Sequence, residues 1–178
     1  SIYGAEEYKC SAIRTSLLSI TNRSTFLVSK TLVWLVFSFF ISFLSIFLTI
    51  NMTHYVLGQD GLLLFSLNGR VWFYIFLASI AWTLLGLLAY IMALTFKTAI
   101  VPLLFLLPQV YNLGTFLANY ISVAKFLPVA LGQGLIATSP QILEHSSLQN
   151  ILFLLCWNFS FLALAIYRLL KSDIGGGE

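Results

Sequence analysis

Long apolar runs without any charged side chain dominate the chain. Four such runs cover residues 31–50, 71–96, 98–120 and 148–167. A bilayer core of about 30 Å requires about 20 helical residues, and each run reaches that length. Because backbone polar groups in lipid must be satisfied within the segment, each run is predicted to be an α-helix. The pattern therefore predicts an all-α fold, a polytopic helical membrane protein with four transmembrane helices.

The polar stretch before the first run, residues 1–30, has helical periodicity. Its apolar residues Cys10, Ile13, Leu17 and Ile20 are spaced by three, four and three, while charged and hydroxyl residues occupy other faces. This pattern predicts a short amphipathic helix. Two roles are open for it. It rests on the lipid headgroups with its basic residues near anionic lipid, or it docks into a groove of a cytoplasmic partner.

Residues 121–147 have a third kind of pattern. They are too apolar for a free loop, yet Pro128, Gly132, Gly134 and Pro140 interrupt them too often for a span. Irregular backbone at membrane depth is tolerated only where protein covers it. We therefore expect a pair of short re-entrant helices that dip into the outer leaflet.

The basic residues predict an orientation. Seven of the nine Lys and Arg residues precede the first run, separate the second from the third, or follow the fourth. Such residues favour the cytoplasmic side of short loops. Both ends should therefore be cytoplasmic, and we expect a multi-pass protein of the bacterial inner (cytoplasmic) membrane. The predicted organisation is a cytoplasmic segment at 1–30, a transmembrane domain at 31–174 and a tail at 175–178.

Small, uncharged polar residues recur inside the runs at spacings of four and three, which places them on single helix faces. Such residues mark contacts between membrane helices, where they allow close approach and share hydrogen bonds. They also suit a mildly polar path for an amphipathic cargo, and both interpretations stay open. The candidates are Ser38, Ser42, Ser45 and Thr49 in the first run, Ser79 and Thr83 in the second, and Gln109, Asn112 and Asn119 in the third. The fourth run adds Asn150, Asn158 and Ser160.

The composition of the chain excludes several classes of function. With 60% hydrophobic and 8% charged residues, the chain falls outside the soluble range, and its net charge of +3 reflects the loop asymmetry rather than a nucleic-acid partner. No Asp, Glu, Lys, Arg or His lies within the four runs, which argues against a proton- or ion-coupled carrier. No serine, zinc-protease or phosphate-loop motif is present. We therefore expect no enzyme activity, no metal and no cofactor in this chain, so energy must come from a partner.

One segment resembles a known family. Residues 7–23, EYKCSAIRTSLLSITNR, with Lys30 at the membrane entry, are similar to the signature E-Y-R-x-G-T-x-R-x-x-L-L-x-x-P-x-R of ABC type 2 permeases. Residues 126–132, FLPVALG, resemble the L-P-x-x-A-G stretch that often precedes the last span of such permeases. Ser11 replaces the usual glycine of the signature, Ala12 the usual threonine and Thr21 the usual proline.

The resemblance implies that the segment from about Glu6 to Arg23 is a coupling helix, docked into a cleft of an ABC ATPase subunit. Its implied buried face is Ile13, Leu17, Leu18 and Ile20, and its implied charged rim is Glu7, Arg14 and Arg23. Members of the family usually have six spans with this segment between the second and third. We therefore expect two further spans to precede Ser1.

The resemblance also implies a function. The chain would be the permease subunit of an ATP-driven exporter that moves an amphipathic or hydrophobic cargo, such as a drug, peptide, lipid or glycan. It would pair with a second permease subunit, as a homo- or heterodimer in membrane lipid, while ATP and Mg²⁺ bind to the partner ATPase subunits. The alternative is a non-transporting membrane scaffold, immunity or assembly protein.

Overall fold

The computed structural model describes residues 23–56, 69–113, 116–117, 120–136 and 146–171. Every regular element among them is helical, which confirms the all-α class. The elements are α1 (Arg23–Val56), α2 (Gly69–Phe96), α3 (Ile100–Pro108), a π-helical segment (Gln109–Leu113), a 3₁₀ helix (Ser122–Phe126), α4 (Pro128–Ile136) and α5 (Ser147–Lys171).

Three of these helices are long and apolar enough to cross a membrane, as expected for a membrane protein. They are α1, α2 and α5, with apolar stretches at Thr25–Val56, Gly69–Phe96 and Ser147–Arg168. These helices contain the first, second and fourth predicted spans.

The third predicted span, 98–120, is not confirmed. Helix α3 has nine residues and the π-helical segment five, which together extend about 21 Å at ~1.5 Å per residue. That length falls short of a bilayer core of about 30 Å. The regular α-helix ends at Pro108, whose ring nitrogen has no hydrogen to donate to the preceding turn. Residues 114–115 and 118–119 lie outside the described residues.

Helix α2 is the centre of the bundle. It contacts α1, α3, α4 and α5, and 67% of its apolar stretch is buried, against 22% for α5 and none for α1. A helix that is hydrophobic on all sides requires apolar or lipid surroundings everywhere. Neighbouring helices supply those surroundings for α2, whereas α1 turns a broad apolar face outward.

Aromatic side chains join α1 to α2. Trp72 of α2 stacks on Phe43 and Phe47 of α1, with ring centroids 6.4 and 5.9 Å apart. One turn along, Phe76 meets Phe39 edge-on at 5.9 Å. Side chains spaced by four form ridges that pack into the grooves of a facing helix. Together with the stacking of Trp34 on Tyr90, these pairs show that the two helices are antiparallel.

Helix α5 runs parallel to α2 and packs against it together with α4. Leu131 and Leu135 of α4 join Leu154 of α5 and residues of α2 in one core cluster. Gly132 permits this close approach, because a Cβ atom there would lie 2.8 Å from Cδ1 of Leu85. The 3₁₀ helix and α4 thus pack on the long helices, while their predicted entry into the outer leaflet stays a prediction.

The start of α5 is defined by a reciprocal cap. The Ser146 hydroxyl accepts a hydrogen bond from the Gln149 backbone N–H at 3.4 Å, and the Gln149 side chain accepts one from the Ser146 N–H at 3.0 Å. This is the capping-box arrangement, which satisfies two donors that a helix leaves unpaired at its first turn. It explains why α5 begins at Ser147, one residue before the apolar run.

Candidate functional site

The predicted coupling residues fall almost wholly outside the described part of the chain. Arg23 is the first residue of α1, and its side chain is not described. The residues outside the described ranges are Glu7, Ile13, Arg14, Leu17, Leu18 and Ile20. Their role as an ATPase-coupling surface therefore stays a prediction.

The four candidate hydroxyl residues of α1 divide into two pairs. Ser38 and Ser42 are half-buried, whereas Ser45 and Thr49 are exposed. Half-buried positions of α1 recur mainly every four residues, as the ridges facing α2 require. The step of three between Ser42 and Ser45 leaves that ridge. The four residues consequently do not share one environment, although their spacing places them on one broad face.

Ser79 and Thr83 of α2 are fully enclosed, with 0% and 4% of their surface exposed. The Ser79 hydroxyl donates to the carbonyl of Ile75 at 2.7 Å, and the Thr83 hydroxyl donates to the carbonyl of Ser79 at 2.6 Å. Hydroxyl groups in a helix commonly satisfy themselves in this way, by bonding to the carbonyl four residues earlier. These two groups therefore pack inside the bundle with their donors already used.

Gln109 connects the break after α3 to the start of α4. It is buried, and its side-chain amide donates to the carbonyl of Phe105 at 2.9 Å. Its side-chain oxygen accepts from the backbone N–H of Val129 at 3.4 Å. The backbone N–H of Gln109 is directed to the carbonyls of Leu106 and Leu107. The side chain thus supplies a donor to the carbonyl four residues back, at the end of the regular helix.

The side chains of the other two polar candidates of the third run are not described. Asn112 belongs to the π-helical segment, but its side chain is not described, and Asn119 lies outside the described residues. A polar path that combines these residues with Gln109 therefore stays a prediction.

Two asparagines of α5 are buried in the described bundle with side-chain atoms that have no hydrogen-bond partner there. Asn150, Leu154 and Asn158 recur every four residues and are all buried. The Asn158 amide donates to its own helix at Leu154 (2.9 Å) and across to the carbonyl of Leu84 in α2 (3.2 Å). Asn150 is 0% exposed, yet neither its side-chain nitrogen nor its oxygen has a hydrogen-bond partner among the described residues. The spacing of eight residues between Asn150 and Asn158, about two helical turns, is the sequence signal that could have marked this face.

A groove that the sequence pattern did not predict lies along α1. It has a volume of about 390 Å³ and is lined by Phe26, Ser29, Lys30, Val33, Trp34, Phe37 and Tyr90. Tyr90 belongs to α2 and stacks on Trp34 with centroids 5.3 Å apart. The remaining lining residues all belong to α1, at spacings that place them on one side of the helix.

In comparisons with known proteins, no family model matches the chain, and no curated protein or solved structure is detectably similar to it. A functional assignment consequently depends on the chemistry and geometry of this chain's own residues.

Proposed function

We propose that this chain is the permease subunit of an ATP-driven ABC exporter. It acts beside a second permease subunit and with separate ATPase subunits, which bind ATP and Mg²⁺. The observation that carries the proposal is the coupling-type sequence at residues 7–23, placed directly before the first long helix of an apolar bundle. Cargo of the amphipathic or hydrophobic class, a drug, peptide, lipid or glycan, fits a bundle of this composition.

The form of α1 supports a mechanical link between the coupling segment and the bundle. The helix has 34 residues without glycine or proline and extends about 51 Å at ~1.5 Å per residue. A bilayer core of about 30 Å leaves about 20 Å of this length for projection or tilt. An unbroken helix moves as a rigid element, so displacement at its first turn reaches the aromatic contacts with α2.

Coupling of this kind requires the N-terminal segment to contact two ATPase states differently, because a partner shifts an equilibrium only by its differential affinity. The lack of charged side chains within the spans is consistent with transport driven by a separate ATPase rather than by ion coupling. Within α1, α2 and α5, the described Lys, Arg and His residues lie toward the helix ends, so the middle of these helices has no charged side chain for ion coupling.

In the proposed topology both ends of the chain face the cytoplasm of a bacterial cell. Residues 98–120 form a fourth span, bent after Pro108, and the 3₁₀ helix with α4 lies toward the outer leaflet. Proline within a helix bends it, and a side chain next to the bend bonds to the backbone there, as Gln109 does to the carbonyl of Phe105. The exposed apolar face of α1 is then available to lipid and to the second permease subunit.

A non-transporting scaffold, immunity or assembly protein is the second candidate, and one observation favours it. The hydroxyls of Ser79 and Thr83 are buried and bonded within α2. They therefore serve the packing of the central helix rather than the lining of a path. A scaffold would need the apolar bundle but no ATPase.

Co-purification of an ATPase with the full-length protein tests the proposal. The tagged protein is extracted from its native membranes, and Mg²⁺-dependent ATP hydrolysis is measured in the purified complex. Leu17→Asp combined with Ile20→Asp places two charges on the apolar face of the N-terminal segment. We expect this variant to lose the ATPase while remaining in the membrane.

A matched variant controls for added charge. Ser11→Asp with Thr15→Asp introduces the same two charges on a polar face of the same segment, and we expect it to retain the ATPase. Normal co-purification and hydrolysis in the Leu17 and Ile20 variant would show that this segment does not couple the bundle to an ATPase. Absence of any ATPase from the wild-type complex would favour the scaffold.

A further inference from the structure

The groove on α1 combines an apolar trough with a polar entrance. Val33 and Phe37, with 67% and 65% of their surface exposed, form one wall, and Trp34 with Tyr90 forms the floor. The polar entrance of the groove is at Lys30, whose ammonium is 5.0 Å from the ring centroid of Phe26. Pockets that hold small ligands usually have volumes of about 300–1,000 Å³. The volume of this groove, about 390 Å³, lies in that range.

The groove opens at the basic end of the bundle. Helix α1 is antiparallel to α2, and α5 is parallel to α2. The first turns of α1 therefore lie beside the last turns of α2 and α5. Lys97 follows α2, and Arg168 and Lys171 end α5. The Arg168 guanidinium donates to the carbonyl of Thr95 at 2.7 Å, which fixes these two ends together. No Asp or Glu is present among the described residues.

We infer that this groove binds one anionic phospholipid of the surrounding membrane. The Lys30 ammonium and the neighbouring Ser29 hydroxyl offer hydrogen-bond donors to the lipid phosphate, at the polar entrance. An acyl chain lies along Val33 and Phe37, against the Trp34 ring. Basic residues near a membrane surface attract anionic lipid by about 1 kcal/mol each. The inference depends on membrane residence and is independent of the exporter proposal.

Charge separates this occupant from a second copy of the chain. A symmetric pair of chains with their grooves in contact would bring two Lys30 side chains and two basic ends together, which is repulsive in a membrane setting. A phospholipid offers the opposite charge at the entrance and an apolar chain for the trough. Charge and shape are therefore both complementary to lipid.

Quenching of Trp34 fluorescence by brominated lipid tests this inference. The full-length protein is reconstituted in vesicles of one fixed phosphatidylcholine and phosphatidylglycerol composition. Bromine is carried on the acyl chains of either the zwitterionic or the anionic lipid, so the surface charge is the same in both. The contribution of Trp34 is the difference between the wild type and Trp34→Phe. We expect this contribution to be quenched more per brominated chain by the anionic lipid.

Two charge variants locate the effect. Lys30→Gln should reduce the anionic preference at Trp34 by about fivefold, the factor that corresponds to one lysine near the surface. Lys171→Gln removes a charge from the same end of the bundle but outside the groove, and should reduce the preference by much less than Lys30→Gln does. Circular dichroism confirms that both variants retain their helices.

Three results would overturn the inference. Equal quenching of Trp34 by both lipids would show that the groove does not select anionic lipid. An equal loss of preference in Lys30→Gln and Lys171→Gln would assign the effect to general surface charge. Absence of quenching by either lipid would show that protein, such as a second copy, covers the groove.

Discussion

Asn150 and Asn158 have the same side chain, lie on the same face of α5 and are both buried, yet substitution to leucine should have opposite effects on them. The Asn158 amide bridges to the Leu84 carbonyl of α2. Asn150 makes no side-chain hydrogen bond to the described residues. Asn150→Leu therefore removes two unpaired polar atoms from the bundle, whereas Asn158→Leu removes a contact between helices.

The expected magnitudes follow from these contacts. An unpaired buried polar group costs about 1–3 kcal/mol, and we use about 1 kcal/mol because an unfolded chain in a micelle also finds partners. Asn150→Leu should raise the free energy of unfolding by that amount. Asn158→Leu loses a hydrogen bond between membrane helices worth about 0.6 kcal/mol on average. Its side-chain oxygen has no partner among the described residues, which offsets part of this loss. The two variants should differ by about 1 kcal/mol or more.

The assay is unfolding of detergent-solubilised protein by added SDS, followed by far-ultraviolet circular dichroism. Leucine is larger than asparagine, and overpacking can cost about 1–3 kcal/mol. Asn150→Ala therefore serves as a control that removes the same amide without adding volume. If both Asn150 variants destabilise the protein by more than Asn158→Leu does, the Asn150 side chain has a stabilising partner and the reasoning is refuted.

Two further predictions, one on an aromatic contact and one on a backbone conformation, use the same unfolding assay. Trp72→Leu removes two ring stacks of about 0.5–1.5 kcal/mol each and should lower the free energy of unfolding by about 1–3 kcal/mol. The control Trp82→Leu, at a site 53% exposed, should have little effect. Equal losses of stability in the two variants would contradict the role of the aromatic contacts. Lys97 has a φ of 57°, in the left-handed region that favours glycine, so Lys97→Gly should stabilise by about 0.5 kcal/mol, whereas Lys97→Ala should show no gain.

The presence and approximate position of α1, α2 and α5 could be predicted from the apolar pattern. A run of about 20 residues without charge has few alternatives to a helix in lipid, because each backbone group must bond within its own segment. The first predicted span, 31–50, lies inside a helix that extends to Arg23 and Val56. Polar residues at the ends of a run do not stop a helix, so the apolar pattern underestimates its length.

The third run shows where local pattern was insufficient. Its 23 apolar and polar residues satisfied the length criterion, yet the regular helix ends at Pro108 and continues in π-helical form. Both prolines of this run, Pro102 and Pro108, were visible in the sequence. What the backbone does after a proline depends on the groups packed around it. In this chain the Gln109 side chain donates to the carbonyl of Phe105 and accepts from the backbone N–H of the distant Val129.

Apolar length and lack of charge are properties of consecutive residues, so the amino-acid pattern alone was enough to predict a helical membrane protein. Which neighbour each polar residue faces depends on how distant segments pack. That packing separates Ser38 and Ser42 from Ser45 and Thr49, and it pairs Asn158 with α2 while leaving Asn150 without a described partner. Spacing defines a face of a helix, but only the packing of distant segments defines what that face meets. The groove beside Lys30 has the same origin, because Tyr90 reaches it from another helix.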